Sequence, residues 1–343
     1  MESRQRKVTR KDVAEEAGVS ETIVSYVLNK NRYVKEEKRQ RVLEAVEKLQ
    51  YQPNNIARAL HGKGSLQILF IAEELSSGYF SEMVSQMSRD AYRQGYMISL
   101  CESQKEDEFV SHILSRQFDG LFVSASGVTD SQLKLLVKSG IPMVLFLNRE
   151  INCELQDTVL VDTGLYEGSR ECVRHLSKNG CRNFIYLDKL GKPCDRDIHL
   201  KGFLDQVKDL GIVFAPEQKI SGCENIKELE EKLRSLLEKN SSIDAVVARY
   251  DELAAVALSV ARKMGKKVPD DYSIVGFDDL VFADSVDPAL TTVGLEQYLW
   301  GKKLAQYYFS LLEHPEVKES CVSEEEVLVK SRLIVRQSTK RIG

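Results

Sequence analysis

The 343-residue chain holds seven cysteines but no CxxC pair, and its five histidines do not cluster. Neither a disulfide framework nor a zinc site has spacing behind it, so Cys101, Cys153, Cys172, Cys181, Cys194, Cys223 and Cys321 read as reduced thiols. Also missing are GxGxxG, the phosphate-cradling GxxxxGK followed by Ser or Thr, and HExxH. With no nucleophile and base to pair, an enzyme is disfavoured, and neither a cofactor nor a metal is expected. No apolar run approaches the roughly 20 residues that span a bilayer, and no signal peptide precedes the first helical segment. The expectation is a cytoplasmic protein that does not cross a membrane, and a secreted solute-binding protein is disfavoured.

What the chain does have is an uneven distribution of charge. Residues 1–64 carry 14 Lys and Arg against 9 Asp and Glu, a net of +5, and the remainder carries 34 against 43, a net of −9. A basic head on an acidic body suits phosphate binding, because each phosphate neutralised releases counterions.

Local signals in the head agree with one another. Thr9 and Asp12 form a capping box for a first helix, with Val13, Ala14 and Ala17 on one face. Gly18 supplies the permissive turn backbone and Val19 can plug it. Ser20 is an N-cap for a second helix whose Val24, Val27 and Leu28 face inward, leaving Glu21, Thr22, Ser25, Tyr26 and Asn29 outward. In a helix-turn-helix, the outward N-terminal part of the second helix lies in the major groove. Glu36 to Leu49 make a third helix, with Val42, Leu43, Val46 and Leu49 closing a core. Pro53 then opens a short helical pattern, Asn54 to Leu60, bounded by Gly62 and Gly64 and too short to be stable unless something packs on it.

VTRKDVAEEAGVSETIVSYVLN followed by YQPNNIARAL resembles the head and hinge of the LacI/GalR family of bacterial transcriptional regulators, nearly position for position. The resemblance implies major-groove and phosphate contacts at Ser20, Glu21, Thr22, Ile23, Ser25, Tyr26 and Asn29. It implies backbone contacts at Thr9 and Tyr51, and a minor-groove hinge with Asn54, Ala57 and Leu60, the leucine acting as an apolar wedge. Three positions depart from the family: Ile23 replaces the usual Thr, Tyr26 a frequent Arg, and Lys35 a Ser that caps the third helix. Since Tyr has one hydroxyl where Arg could pair bidentately with guanine, base preference there should differ.

The remaining ~280 residues suit two lobes. Strands are predicted at Gln67 to Ala72, Met97 to Cys101, Gly120 to Ser124, Pro142 to Leu147, Thr158 to Val161, Asn183 to Leu187, Ala245 to Ala248 and Ser273 to Phe277. Amphipathic stretches alternate with them at Phe80 to Arg93, Tyr166 to Lys178, Leu200 to Leu210 and Glu252 to Met264. That order implies βαβ units and parallel sheets covered on both faces. The family resemblance continues through VTDSQLKLLVKSGIPMVLFLNR, ECVRHLSKNG, DELAAVALSVARKMGKKVPDDYSIVGFDD and PALTTV, and implies a periplasmic-binding-protein-like core.

The fold class is therefore an all-α helix-turn-helix head with hinge helix, followed by a two-lobed α/β core with parallel sheets. The expected divisions are head 1–52, hinge and linker 53–64, and an effector-binding and dimerisation core 65–340. Lobe 1 is placed at about 65–161 and 293–320, lobe 2 at about 162–290 and 325–340. Crossings fall near Val161 to Thr163, Leu290 to Val293 and Ser320 to Glu325.

Open α/β sheets bind ligands outside the carboxyl ends of their strands. Ser77 and Phe80, Asn148 and Arg149, Tyr250 and Asp251, and Asp278 all follow strands, and Arg196 and His199 sit just before Gly202-Phe203, where the family places a ligand-binding Arg. These groups suit a sugar-like effector, with Asp278 the strongest candidate; Asp251 reads equally as a helix cap. Tyr250 stands where the family often has Asn, Asn148 where it has Asp, and His199 where it has Arg. A bulky phenol in place of a carboxamide points to an effector that is smaller, more aromatic, or other than a simple free sugar. His199 reads either as a ligand contact titrating near neutrality or as a core histidine.

The expected function is a metabolite-controlled transcriptional repressor that binds a pseudo-palindromic double-stranded operator. The expected assembly is a homodimer, with a tetramer as the alternative, associated with the bacterial nucleoid when bound. A transcriptional activator of the same family and a sugar sensor without DNA regulation remain open.

Overall fold

In the computed structural model the described residues are 8–29, 32–52, 64–75, 77–155, 158–194, 196–294, 303, 304, 306, 308, 309 and 331–340. Asn54, Ala57, Leu60 and the expected crossing at Ser320 to Glu325 lie outside them. The chain divides into two compact units, Met1–Ser65 and Leu66–Gly343.

The first unit contains α1 (Arg10–Ala17), α2 (Glu21–Asn29) and α3 (Glu36–Lys48). The Thr9 hydroxyl accepts from the Asp12 N–H, and the Asp12 carboxylate accepts from the Thr9 N–H at 2.7 Å, so both halves of the capping box form. Gly18 adopts the left-handed conformation at φ +62°, which lets α1 end and α2 begin. Lys35 precedes α3 with no side-chain cap. Val13, Ala14, Ala17, Val24, Val27, Val34, Val42, Ala45 and Tyr51 make the core. Leu43 was expected there, but the helical phase turns it out to solvent and Ala45 fills its place.

The second unit carries two sheets. The first has the order β2-β1-β3-β4-β5, with β1 (Gln67–Ala72), β2 (Met97–Glu102), β3 (Gly120–Ser124), β4 (Met143–Leu147) and β5 (Thr158–Asp162), all paired parallel. Helices α4 (Gly78–Arg93), α5 (Glu108–Leu114) and α6 (Asp130–Lys138) connect its strands. Along β1, Ile68, Phe70 and Ala72 enter one core and Leu69 and Ile71 the other, so both faces are covered and the strand reads as an unbroken apolar run.

The second sheet includes β6 (Phe184–Leu187), β7 (Lys219–Ile220), β8 (Ala245–Ala248), β9 (Ser273–Phe277), β10 (Thr291–Gly294) and β11 (Arg332–Ile334), in the order β11-β10-β9-β8-β6-β7. Its helices are α7 (Leu165–Lys178), α8 (Ile198–Asp209), α9 (Ile226–Lys239) and α10 (Asp251–Lys263). All its pairings are parallel except β10 with β11, an antiparallel edge absent from the sequence reading.

One expected boundary is corrected. Leu290 to Val293 was assigned to a crossing, and 293 onward to lobe 1. Instead Thr291–Gly294 is a strand of the second sheet, pairing with both β9 and β11, while Leu304, Tyr308 and Phe309 sit in the core of the first. The buried Thr291-Thr292-Val293 run is β-branched, and two-sided pairing takes it into the sheet.

The returning segment bears on one glycine. A Cβ at Gly120 would stand 1.1 Å from the hydroxyl of Tyr308, a side chain 1% exposed with no room to withdraw. Gly120→Ala should cost about 1–3 kcal/mol and lower the thermal unfolding midpoint by several degrees. Adding Tyr308→Phe should recover part of the loss; no recovery would mean that the clash lies elsewhere.

Candidate functional site

In the head, Ser20, Glu21, Thr22 and Asn29 are exposed, and Ser25 and Tyr26 are half-buried. The Ser20 hydroxyl accepts from the Ile23 N–H at 3.4 Å, a long cap. Asn29 is not fully available, because its amide donates to the Ser25 carbonyl at 2.8 Å. The Arg32 guanidinium lies 5.2 Å from the Tyr26 ring centre, giving that ring a cationic neighbour. Ile23 and Tyr26 both pack partly against the core, and Tyr51, 7% exposed, is part of it.

The second unit holds a pocket of about 550 Å³, open mouth included, between the two sheets. Glu73, Glu74 and Ser77 reach it from beyond β1, Asn148 from beyond β4 and Thr163 from beyond β5. Arg249 and Tyr250 follow β8, and Asp278 follows β9. Tyr79, Phe80, Phe146 and Leu165 supply apolar walls. Of the expected ligand residues, Ser77, Phe80, Asn148, His199, Tyr250 and Asp278 line this pocket; Arg149, Arg196 and Asp251 do not.

Each of those three has a structural reason. Arg149 is 4% exposed, and its guanidinium donates to the carbonyls of Ala125, Val128 and Glu150 and to Asp130 at 2.7–2.8 Å. Arg196 adopts φ +65° and pairs with Asp130 at 3.1 Å. Asp251, fully buried, accepts from the Leu280 N–H at 2.8 Å and the Thr292 hydroxyl at 2.7 Å, tying the start of α10 to the loop after β9 and to β10.

His199 is 3% exposed and receives a hydrogen bond from Arg249 Nη1, 2.7 Å from Nδ1. Burial, then the adjacent guanidinium, lower its pKa, which agrees with the core-histidine reading of the two that the sequence left open. Arg249 Nη2 pairs with Asp197 at 2.7 Å. Burial alone would raise the Asp197 carboxyl, but Arg249 and His199 hold it well below the usual carboxylate range. Arg249 also lies 4.9 Å from the Tyr250 ring centre. Arg249, Glu73 and Thr163 were missed by sequence reasoning; an arginine directly ending a buried apolar strand was the available signal.

A hydrogen-bonded chain crosses the pocket wall. Asn148 donates to Ser124 at 2.8 Å and accepts from the Ser126 N–H at 2.7 Å; the Ser126 hydroxyl donates to Glu73 at 2.7 Å; Glu73 pairs with Lys189 of the opposite lobe. Burial opposes ionisation of Glu73, yet Lys189 and Ser126 lower its pKa overall. Backbone links run beside this chain, from Glu150 N–H to the Arg196 carbonyl at 3.0 Å and across an Arg149–Asp197 bridge.

Asp278 is 8% exposed at φ +104°, with Asp279 beside it at +52°. Left-handed backbone at two successive aspartates is strain that the surroundings must hold. Arg336 pairs with Asp279 at 2.7 Å, and Gly294 leaves space for the Asp279 Cβ, which a Cβ there would approach to 2.2 Å. Burial, then the charges of Asp251 and Glu252, push the Asp278 carboxyl well above its usual range.

A small helix-turn-helix unit and a two-sheet α/β unit with a polar cleft between its lobes together define the architecture of a DNA-binding regulator with a ligand domain. Residues 9–54 match the model for bacterial regulatory proteins of the lacI family, and residues 173–339 that of a periplasmic binding protein-like domain. The chain is 30% identical to the ribose operon repressor of Halalkalibacterium halodurans over 336 residues, 97% of each protein. It is 29% identical to the HTH-type transcriptional repressor PurR of Mannheimia succiniciproducens over 340 residues, 98% of this chain and 99% of that one. Among solved structures, a LacI-family regulator from Silicibacter pomeroyi superposes with a TM-score of 0.82 at 22% identity, covering 97% of this chain and 100% of that one. The lac repressor dimer bound to operator and the anti-inducer ONPF gives 0.78 at 22%, covering 97% and 99%. The chain belongs to the LacI family of bacterial transcriptional regulators.

Burial raises the Asp251 carboxyl to about 7, against lowering by its bonds from Thr292 and Leu280. The folded value exceeds the unfolded one, so the protonated carboxyl favours the folded state most below about pH 4, and this contribution is lost as pH rises through 7. The stability of the wild type minus that of Asp251→Asn should therefore fall between pH 4 and 8 by roughly 2–4 kcal/mol. Parallel denaturation curves across that range would contradict the assignment.

Proposed function

We propose that this LacI-family chain is a repressor whose affinity for a pseudo-palindromic operator is set by a small metabolite bound between the lobes. The observation that carries this reading is one pocket on which polar side chains of both lobes converge, with Glu73 and Thr163 following strands of the first sheet and Arg249 a strand of the second. A ligand offering several donors and acceptors there would engage both lobes at once. Ser77, Phe80, Asn148, His199, Tyr250 and Asp278 complete its surroundings. One relative is named a ribose operon repressor, and a small polar metabolite as the class of effector is in keeping with that name.

On the DNA side, exposure supports Ser20, Glu21, Thr22 and Asn29 as the reading set, with Ser25 and Tyr26 partly available. Asn54, Ala57 and Leu60 are assigned to the minor groove on the family resemblance. A homodimer would present two heads to two half-sites, and the effector would alter their presentation by binding two lobe arrangements with unequal affinity. Acting on an operator in this way would put the protein in the bacterial cytoplasm.

Two variants separate the functions. Thr22→Ala should weaken binding to the selected operator about 5- to 100-fold while leaving binding to unrelated duplex unchanged, read by gel shift at fixed salt; equal losses on both duplexes would remove Thr22 from base reading. Asp278→Ala should keep operator affinity without effector and lose the response to it, and a retained response in the same titration would remove Asp278 from the site.

A further inference from the structure

Among the described residues, every ion pair that crosses between the two lobes has its carboxylate on the lobe of the first sheet and its cation on the lobe of the second. Glu73, just beyond β1, meets Lys189, just beyond β6. Asp130, at the start of α6, meets Arg196 at 3.1 Å. Glu150, beyond β4, meets Lys201 of α8 at 3.8 Å. Arg149 and Asp197 face each other with the opposite signs, but each is neutralised inside its own lobe, by Asp130 and Arg249.

Two of the six side chains are shared with their own lobe. One Asp130 oxygen takes Arg149 at 2.7 Å and the other takes Arg196, while Lys201 also holds Asp205 at 2.9 Å. Burial opposes ionisation of Asp130, but its bonds from Arg149 and Arg196 hold the carboxyl below its usual value, so it stays charged at neutral pH. The seam is thus held by full charges of opposite sign on opposing faces.

Dissolved ions act unequally on these pairs, because exposed charges are screened far more than shielded ones. Glu150 and Lys201 are 46% and 41% exposed, Arg196 and Asp130 34% and 21%, and Lys189 and Glu73 only 15% and 14%. We propose that the three pairs form a salt-sensitive clasp, whose two outer pairs weaken as ionic strength rises, so that the lobes part more readily with no ligand involved. The clasp does not depend on what the pocket binds. It makes ionic strength an input to the lobe arrangement in its own right.

The Glu150 amide, which donates to the Arg196 carbonyl at 3.0 Å, reports the opening of this seam. The test is hydrogen exchange of the full, DNA-free chain resolved to single amides, at fixed pH, as NaCl is raised from about 0.02 to about 0.5 M. That range shortens the screening length from roughly 20 Å to roughly 4 Å. Exchange at Glu150 should quicken about 3- to 30-fold in the wild type, while Phe122 of β3 and Val247 of β8 keep their rates. Arg196→Gln should exchange faster than wild type at low salt and lose at least half of the salt response. Arg196→Glu combined with Lys201→Glu turns two attractions into repulsions, and there the Glu150 rate should fall as salt rises. Should the double variant not fold, Arg196→Gln alone decides. A Glu150 rate that ignores salt in the wild type would mean that the backbone links hold the seam and would overturn the proposal. So would a salt response unchanged by Arg196→Gln, an uninverted response in the folded double variant, or an equal response at Phe122 and Val247, which would mark general destabilisation.

Discussion

Parallel pairing imposes the constraint on which the site depends. When neighbouring strands run the same way, their carboxyl ends open on one edge, and the groups that follow them gather there. Glu73, Asn148, Thr163, Arg249 and Asp278 reach the pocket in this way, from β1, β4 and β5 of one sheet and β8 and β9 of the other. Apolar interiors on both faces keep the strands in register, so each polar residue just past a strand has little freedom. His199, in the first turn of α8, arrives by another route and is fixed by Arg249 instead.

The two kinds of ion pair in this unit differ in what they can do. Arg249 and Asp197 are nearly inaccessible, and removal of either would strand a buried charge at a cost of about 3–5 kcal/mol, so they make a rigid floor. Across the lobes, Arg196 with Asp130 is a partly exposed pair, in a class worth about 0–1 kcal/mol. Glu73 with Lys189 is better shielded and lies on the pocket wall itself, where a ligand can compete with it or reinforce it. A rigid floor beneath a modestly held seam suits a ligand that biases the arrangement of lobes without remaking either one.

Legibility in the sequence followed how local each signal was. The capping box at Thr9, the turn at Gly18 and the apolar runs of β1, β3, β8 and β9 depend on neighbouring residues, and each could be placed from them. Thr291, Thr292 and Val293 are also β-branched, but the expectation of a lobe crossing there overrode their propensity; β11 joins the strand from some 40 residues away. Strand-end position identified Asn148, Tyr250 and Asp278 as pocket residues but could not tell a ligand contact from a structural tie. Arg149 is consumed by three carbonyls and a carboxylate, Asp251 by a backbone amide and a threonine, and none of those partners is adjacent in sequence except Glu150. Arg249 offered only its place at the end of a buried apolar strand, and its role rests on Asp197 and His199, some 50 residues earlier.

The head illustrates the same limit from the other side. Its fold is set by local signals, but what it reads depends on the few outward groups of α2, and those include the departures from the family. Tyr26 is half-buried under a cation–π contact with Arg32, so its ring is restrained and a guanidinium stands beside the position where relatives carry one in the side chain itself. Ile23 turns partly into the core and offers no hydrogen-bond donor where a Thr would. A guanine contact made bidentately by a residue-26 arginine has no counterpart here, while a cation reaching from Arg32 would approach from a different point on the helix. On the proposed reading of α2, base preference at this point of the half-site would then differ from that of a relative with arginine there.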